Sequence, residues 1–160
     1  MYDFTATADL PKPELYRELA SAAAALTDGE PDAVANMANV AALIWQFVPR
    51  LNWAGFYRVQ GQELVLGPFQ GRAACIRIPF GQGVCGTAAA SGETQLVPDV
   101  HAFPGHIACD ARSASEIVVP VLDASGTLIA VFDVDATEVA AFDAVDAEAL
   151  ERLLAKVFAA

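Results

Sequence analysis

Three cysteines are the residues of this chain with the widest chemical repertoire, and they stand at positions 75, 85 and 109. An odd number cannot pair completely within one chain, and these spacings do not match the paired-cysteine patterns of zinc sites. A free cysteine is often a small buried hydrophobic residue, whereas a thiolate is a nucleophile. Composition alone favours burial, so the surroundings of each cysteine decide between the two interpretations.

Cys109 belongs to the segment with the least regular pattern. Residues 98–115 show neither helical nor strand periodicity, and they contain both histidines of the chain, His101 and His106. Ordered loops of this length inside a compact domain are usually functional. Either histidine could act as a base for a Cys109 thiol, although a loop histidine more often binds backbone groups. The adjacent Asp110 does not favour a thiolate, so the loop alone does not settle the role of Cys109.

A second chemical group comes from a predicted hairpin with strands at 117–122 and 127–135. If its loop has two or four residues, Glu116 faces Asp133 across the strands, and Asp135 points to the same face. Three carboxylates would then gather at one end of the sheet, whereas a loop of three or five residues would break this register. Such a cluster needs solvent, a cation, a shared proton or a bound ammonium group. No adjacent histidine or ligand spacing supports a metal ion.

Glycines surround Cys85 in the run Gly-Gln-Gly-Val-Cys-Gly at 81–86. Cys85 is near a predicted helix start, where backbone N–H groups can bind a carboxylate or lower a thiol pKa. The run lacks the lysine and the serine or threonine of a phosphate-binding loop, so it is a weak nucleotide signal. Cys75 falls in a strand predicted for residues 74–79.

The helices and strands that must position these residues are predicted from the periodicity of apolar residues along the chain. Helices are predicted after Pro13 to Asp28, over 31–48 and 84–91, and at the end of the chain with Phe142, Val145, Ala149, Leu153 and Val157 on one face. Strands are predicted over 51–59, 63–69, 74–79, 94–97, 117–122 and 127–135. This order indicates an α+β domain with an antiparallel sheet of about six strands. Helices packed mainly on one face would leave the other face free to build a pocket.

Length and charge argue against several classes of protein. The 160 residues fit one domain with its own core, and we interpret residues 1–13 as an N-terminal extension. A net charge of −11 without a basic stripe argues against nucleic-acid binding. The first residues lack the pattern of a signal peptide, and no apolar run is long enough to span a membrane. We therefore expect a cytoplasmic protein.

Six stretches of the sequence resemble the free methionine-(R)-sulfoxide reductase family, whose members adopt a GAF fold. The stretches are NWAGFY at 52–57, LVLGPFQG at 64–71, ACIRIPFGQGVCGTAAA at 74–90, PDVHAFPGHIACD at 98–110, SEIVVPV at 115–121 and VFDVD at 131–135. The similarity covers about residues 15–155, in order and without large gaps. Generic GAF domains do not share three cysteines in these contexts, so the resemblance is specific.

The resemblance implies that the chain reduces free L-methionine-(R)-sulfoxide to methionine. Cys109 would attack the sulfoxide sulfur and become a sulfenic acid, which Cys75 would resolve as a disulfide. A thioredoxin-type dithiol would then reduce that disulfide, with no resident cofactor or metal ion. Cys85 also lies at the family site, but its role, including that of the main resolving cysteine, stays open. The oligomeric state stays open as well, with a homodimer among the alternatives.

Five further residues match family positions around the substrate. Glu116, Asp133 and Asp135 correspond to residues that surround its amino group and sulfoxide. Trp53 and Tyr57 would supply an apolar wall for its side chain, although Trp53 could equally be an ordinary core aromatic. An anionic pocket for a free ammonium group would exclude peptide-linked methionine, whose amide carries no charge.

The partner of the substrate carboxylate is open between two candidates, Arg77 and the backbone N–H groups of residues 83–86. Two other functions compete with the enzyme hypothesis. One is a GAF sensor module that binds a small ligand without chemistry, and the other is a thiol redox sensor without turnover. An acidic pocket suits a phosphorylated ligand poorly, which disfavours a sensor of that class.

Overall fold

The elements of the fold are defined by a computed structural model, which describes residues 4, 5 and 7–159. The helices are α1 Lys12–Thr27, α2 Ala33–Phe47, α3 Gly83–Ser91 and α4 Ala144–Phe158. The strands are β1 Leu51–Gln60, β2 Glu63–Gly71, β3 Arg77–Pro79, β4 Gln95–Val97, β5 Ser115–Leu122 and β6 Leu128–Ala136. Within the described residues, every helix is too short or too polar to cross a membrane.

The six strands form one sheet in the order β3-β2-β1-β6-β5-β4, and each neighbouring pair is antiparallel. Helices α1, α2 and α4 pack on one face, which we call the helix side. Helix α3 packs on the opposite face, which we call the pocket side. The predicted α+β class, the six-stranded antiparallel sheet and the uneven distribution of helices are confirmed.

Capping residues fix where the helices begin. Asp32 accepts hydrogen bonds from the first turn of α2, and Asp143 forms a capping box with Asp146 at the start of α4. The Tyr16 hydroxyl donates to Asp146 at 2.9 Å, and Lys12 pairs with both aspartates. These bonds tie α1 to α4 and complete the helical layer.

Three sequence-based boundaries differ from the structure. Strand β3 is shorter than the predicted strand, so Cys75 lies in the loop before it, where the chain leaves the sheet to meet Cys109. Phe142 precedes α4, because the helix begins after the Asp143 cap. Helix α1 begins at Lys12, inside the segment interpreted as an N-terminal extension. Residues 1–3 and 6 of that segment lie outside the described residues, and the interpretation stays a prediction.

The turn between β5 and β6 is longer than the two or four residues assumed from the sequence. Leu122 pairs with Leu128, so five residues connect the strands. The Asp123 side chain holds this wide turn by accepting hydrogen bonds from the backbone N–H groups of Ser125 and Thr127. An acidic side chain that bonds to backbone two and four residues ahead stabilises a wider turn than the pattern alone indicated.

The predicted register of this hairpin is therefore wrong, but the predicted face is right. Glu116 pairs with Asp135 rather than with Asp133, which pairs with Val118. The difference from the predicted register is two residues because a bulge next to Val121 compensates for the odd turn length. A shift of two residues leaves every side chain on its original face. The three carboxylates consequently share the pocket side.

Candidate active site

The structure joins Cys75 to Cys109 in a disulfide, with the two Cα atoms 5.4 Å apart. The bond links the loop before β3 to the irregular segment between β4 and β5. Cys85 is a free, buried cysteine at the start of α3. The pairing left open by the sequence is thus between Cys75 and Cys109, while the catalytic roles of the three cysteines stay predictions.

A small cavity lies beside this disulfide, between the start of α3 and the ends of β5 and β6. Cys85 and Cys109 both border it, as do all three carboxylates of the hairpin. The remaining lining residues are Ile78, Gln82, Gly83, Val84, His106, Ile107, Asp110 and Ser113. The fold therefore brings the cysteine of the irregular loop and the carboxylates of the hairpin to one place.

The carboxylates are largely withdrawn from water. Glu116 is 6% exposed, Asp133 is 7% exposed and Asp135 is half-buried. Burial raises the pKa of Asp133 to about 7, and burial together with the Asp133 charge raises the pKa of Glu116 and of Asp135 well above their usual range. Glu116 and Asp133 are also hydrogen-bonded to each other. The cluster therefore carries protons at neutral pH and can both donate hydrogen bonds and attract a cation.

The Cys85 thiol belongs to this cluster and donates toward Glu116 Oε1 at 3.9 Å. Burial and the Asp133 and Glu116 charges raise the pKa of Cys85 well above its usual value. This direction is opposite to the lowering that a helix start suggested, because burial outweighs the helix terminus. Cys85 is accordingly a protonated thiol, which suits a hydrogen-bond donor better than an attacking nucleophile.

Among the described residues, one group brings three potential metal ligands together: the side chains of Cys85, Glu116 and Asp133, whose ligand atoms lie within 4.8 Å of one another. A metal ion there would have to displace protons from groups with raised pKa values. That competition weakens metal binding at neutral pH. The expectation of a site without a metal cofactor stays a prediction.

The first turn of α3 lines the cavity. Its N-cap residue, Gln82, makes no capping hydrogen bond with its side chain, and an α-helix leaves its first N–H groups without intrahelical partners. These groups provide donors for an anionic part of a ligand. Arg77, the alternative candidate for that task, instead pairs with Glu63 in an exposed salt bridge and does not line the cavity. The structure therefore places Arg77 away from the cavity, and the partner of the substrate carboxylate stays a prediction.

Trp53 and Tyr57 lie on the pocket side but do not line the cavity. Both are almost fully buried, and their rings stack with centroids 5.7 Å apart. Trp53 also stacks on Phe69 at 5.3 Å and donates from Nε1 to the Arg72 carbonyl at 3.1 Å. In this disulfide-closed form the two aromatics support the cavity from behind, and their proposed contact with substrate stays a prediction.

The two histidines have different surroundings. His106 borders the cavity, and burial together with the nearby His101 lowers its pKa, so it is neutral at pH 7. His101 is exposed and does not line the cavity. Of the two candidate bases in the sequence, only His106 is placed next to the reactive residues.

Comparisons with known proteins give the family. The GAF domain family matches residues 34–159. The free methionine-R-sulfoxide reductase of Saccharomyces cerevisiae is 47% identical over 154 residues, which cover 92% of this chain and 86% of the relative. The free methionine-R-sulfoxide reductase of Escherichia coli is 52% identical over 111 residues, which cover 69% of this chain and 67% of the relative. The chain belongs to the free methionine-R-sulfoxide reductase family.

A solved structure of this reductase family agrees with the assignment. The free methionine-R-sulfoxide reductase of Neisseria meningitidis in complex with its substrate superposes with a TM-score of 0.92 at 46% identity. The match covers 99% of this chain and 94% of that chain. The resemblance found in the sequence is thereby confirmed, and the chain is a member of a family of oxidoreductase enzymes.

Two residues at this reductase-family site were missed by sequence reasoning. Ser113 lines the cavity and is 5% exposed, and it accepts a hydrogen bond from Asn52 Nδ2 at 3.0 Å. Asn52 begins the stretch NWAGFY, where a polar residue at the edge of an apolar strand was the one available signal. Ser113 stands in a segment without periodicity, so no pattern could assign it to the site.

Proposed function

We propose that this protein reduces free L-methionine-(R)-sulfoxide to L-methionine by thiol chemistry at Cys109. The observation that carries the proposal is the shared cavity: the Cys75–Cys109 disulfide borders the same space as three carboxyl groups with raised pKa values. A thiol supplies the electrons for sulfoxide reduction, and carboxyl groups supply the proton and the charge that the substrate needs.

The reaction balances with two thiols of the chain and one external dithiol. The Cys109 thiolate attacks the sulfoxide sulfur, the oxygen is protonated and transferred to Cys109, and methionine leaves as the thioether. The Cys75 thiol then attacks the Cys109 sulfenic acid, which forms the observed disulfide and releases water. A thioredoxin-type dithiol reduces this disulfide and is itself oxidised. The sum is sulfoxide plus dithiol giving thioether, water and a new disulfide.

The raised pKa values suggest different roles for the carboxyl groups. Glu116 carries a proton at neutral pH because burial and neighbouring charges disfavour its anion, so it can donate to the sulfoxide oxygen. A carboxylate that stays ionised in the cluster attracts the substrate's ammonium group. The free N–H groups at the start of α3 receive the substrate carboxylate. Together these contacts match a free amino acid at both of its charged ends.

The same contacts exclude methionine sulfoxide inside a peptide. A peptide bond replaces the ammonium with an uncharged amide and the carboxylate with another amide. The buried carboxylate would then have no cationic partner, which costs on the order of several kcal/mol in a site withdrawn from water. The expected substrate is therefore the free amino acid, and the expected reductant is a thioredoxin in a reducing compartment such as the cytoplasm, without a resident cofactor.

The test uses purified protein, dithiothreitol and free methionine-(R)-sulfoxide, with methionine measured by chromatography. We expect multiple turnovers by the parent protein and none by Cys109→Ser. Cys75→Ser should release about one methionine per chain without added reductant, because the first step does not need the resolving thiol. Cys85→Ser tests the role left open for the third cysteine, and multiple turnovers by this variant would show that the reaction needs only the two thiols of the disulfide.

Two results would contradict the proposal. Absence of methionine in the parent reaction rules out the enzyme function, and disulfide formation with peroxide in the same preparation would then indicate a thiol redox sensor. Turnover by Cys109→Ser at the parent rate would show that the nucleophile is a different cysteine.

A further inference from the structure

Exposed apolar residues stand beside the Cys75–Cys109 disulfide. Ala73 and Ile76 are within two residues of Cys75, and Ala108 precedes Cys109. Ile76 has 70% of its surface exposed, the largest fraction among the large apolar side chains that the structure describes. We call these three residues the apolar rim. A single exposed apolar residue is ordinary, whereas a group of them beside a reactive bond indicates a contact surface for a partner.

The backbone holds Ile76 in this exposed position. Its carbonyl accepts a hydrogen bond from the Leu66 N–H at 3.0 Å, and the next residue, Arg77, pairs with Val65 in the sheet. The Ile76 side chain stays outside the pocket-side core, whereas Ile78 is buried in it. A partner can therefore contact Ile76 without first ordering a loop, which lowers the entropic cost of association.

The two halves of the disulfide have different surroundings. Cys109 borders the cavity together with the three carboxylates, whereas Cys75 is not one of the cavity's lining residues. Cys75 is nevertheless partly exposed, so its accessible surface lies outside the cavity. The cavity therefore gives access to Cys109, and the outer surface that carries Ile76 gives access to Cys75.

We propose that a thioredoxin-type dithiol protein docks on the apolar rim and attacks the Sγ atom of Cys75, so that Cys109 is released as a thiolate on the cavity side. The proposal rests on the proposed function and names the surface that its external reductant recognises. Substrate and reductant then use opposite halves of one disulfide. The reductant does not enter the cavity, and the carboxylates stay available to the amino acid.

Arg72 adds a charge requirement for this partner. It is exposed three residues before Cys75, and it forms no ion pair with another residue that the structure describes. Three residues of chain span at most about 11 Å, so Arg72 stands near the apolar rim. The chain as a whole carries a net charge of −11, which repels an acidic partner. An unpaired cation beside the disulfide favours docking of an acidic dithiol protein at this place.

The exchange balances with the electrons of one dithiol. A thiolate of the reductant attacks Cys75 Sγ, the disulfide breaks, and Cys109 leaves with the electron pair. The second thiol of the reductant loses its proton to solvent, attacks the mixed disulfide and releases Cys75, which takes up a proton. The reductant becomes a disulfide, and this chain regains two thiols. Attack at Cys75 frees the proposed nucleophile in the first step, whereas attack at Cys109 would block it until the second.

A trapping experiment identifies the sulfur atom that the reductant attacks. The disulfide is formed with peroxide, and the oxidised protein is mixed with a thioredoxin whose second active-site cysteine is replaced by serine. The mixture is quenched with iodoacetamide and digested for mass spectrometry. We expect the mixed disulfide on Cys75 and the alkyl label on Cys109. A mixed disulfide on Cys109, or no complex at all, overturns the proposal.

Ile76→Ser tests docking separately from thiol exchange. The rate of disulfide reduction is measured with thioredoxin, its reductase and NADPH, and again with dithiothreitol. The ratio of the two rates should fall roughly tenfold, because burial of an isoleucine side chain changes affinity by at least that factor. Val34→Ser is the matched control, since Val34 is also an exposed apolar residue but belongs to α2 on the helix side. Its ratio should equal that of the parent.

Arg72→Glu should also lower this ratio, and the decrease should shrink at high salt because ions screen the charge. An unchanged ratio in both Ile76→Ser and Arg72→Glu overturns docking at this surface, as does an equal fall in Val34→Ser. A change in oligomeric state of Ile76→Ser at an unchanged ratio, seen by sedimentation, would assign the apolar rim to a contact between two copies instead. None of these measurements uses the sulfoxide, so their failure is distinct from failure of the proposed reductase function, which the activity of the parent tests alone.

Discussion

The two sides of the sheet are built from the same strands but differ in chemistry. On the helix side, β5 and β6 contribute a continuous apolar surface of Ile117, Val119, Val121, Ala130, Phe132 and Val134. On the pocket side, the alternate residues include Glu116, Val118, Val131, Asp133 and Asp135. Successive side chains of a strand point to opposite faces, so neighbouring residues belong either to the apolar core or to the carboxyl cluster.

The difference shows where the fold tolerates unfavourable burial. An apolar side chain on the helix side stabilises the fold by roughly 1.5–3 kcal/mol when it is fully buried. A carboxyl group on the pocket side loses its hydration, and it lowers that cost by holding a proton, as the raised pKa values indicate. Stability thus comes mainly from the helix side. The pocket side retains polar groups that a bound substrate can pair with.

The largest expected effect is on the helix side. Phe132 is fully buried and packs on Phe56 with ring centroids 4.6 Å apart. Phe132→Ala should lower the free energy of unfolding by about 3–5 kcal/mol, because it removes apolar contacts and leaves a cavity. Urea denaturation measures this change. A loss below about 1 kcal/mol would show that the helix side is not the principal source of stability.

On the pocket side of the same strand pair, a substitution should reduce activity much more than stability. Glu116→Gln keeps the shape of the side chain but removes its titratable proton, so kcat/KM for the free sulfoxide should fall by roughly 100-fold. The free energy of unfolding should stay within about 1 kcal/mol of the parent, because a buried group that is already protonated becomes an amide. Parallel losses of activity and stability would instead assign Glu116 a structural role.

The smallest effect is in the pH dependence of stability. Burial raises the pKa of Asp133 from an ordinary 3.8 to about 7 in the folded state. The folded protein then binds a proton that the unfolded chain releases, so stability is greatest below the unfolded pKa and falls as pH rises through the folded pKa. Between pH 5 and pH 7 this contribution should decline by about 2 kcal/mol. Asp133→Asn should flatten the decline, as measured by urea denaturation at both pH values, and a slope identical to that of the parent would contradict it.

Sequence periodicity predicted most of the fold. Alternating and helical patterns located the strands and the helices, since burial of one face imposes a period of two on a strand and 3.6 on a helix. The closing hairpin was predicted to place three carboxylates on one face, and the structure confirms that face. The boundaries failed where local hydrogen bonds compete with periodicity, as at the Asp143 cap and the wide turn held by Asp123.

The sequence by itself determined the family, the order of elements and the face of the carboxylates. Residue identity and alternation are local properties of the chain, so a pattern can report them. The tertiary structure alone decided that Cys109 pairs with Cys75, that Arg77 points away from the cavity, and that Cys85 is a protonated thiol. It also decided the hydrogen bond between Asn52 and Ser113, which are 61 residues apart in the sequence. Contacts at such separations and the burial that shifts a pKa arise only when distant segments pack together, and no local pattern encodes them.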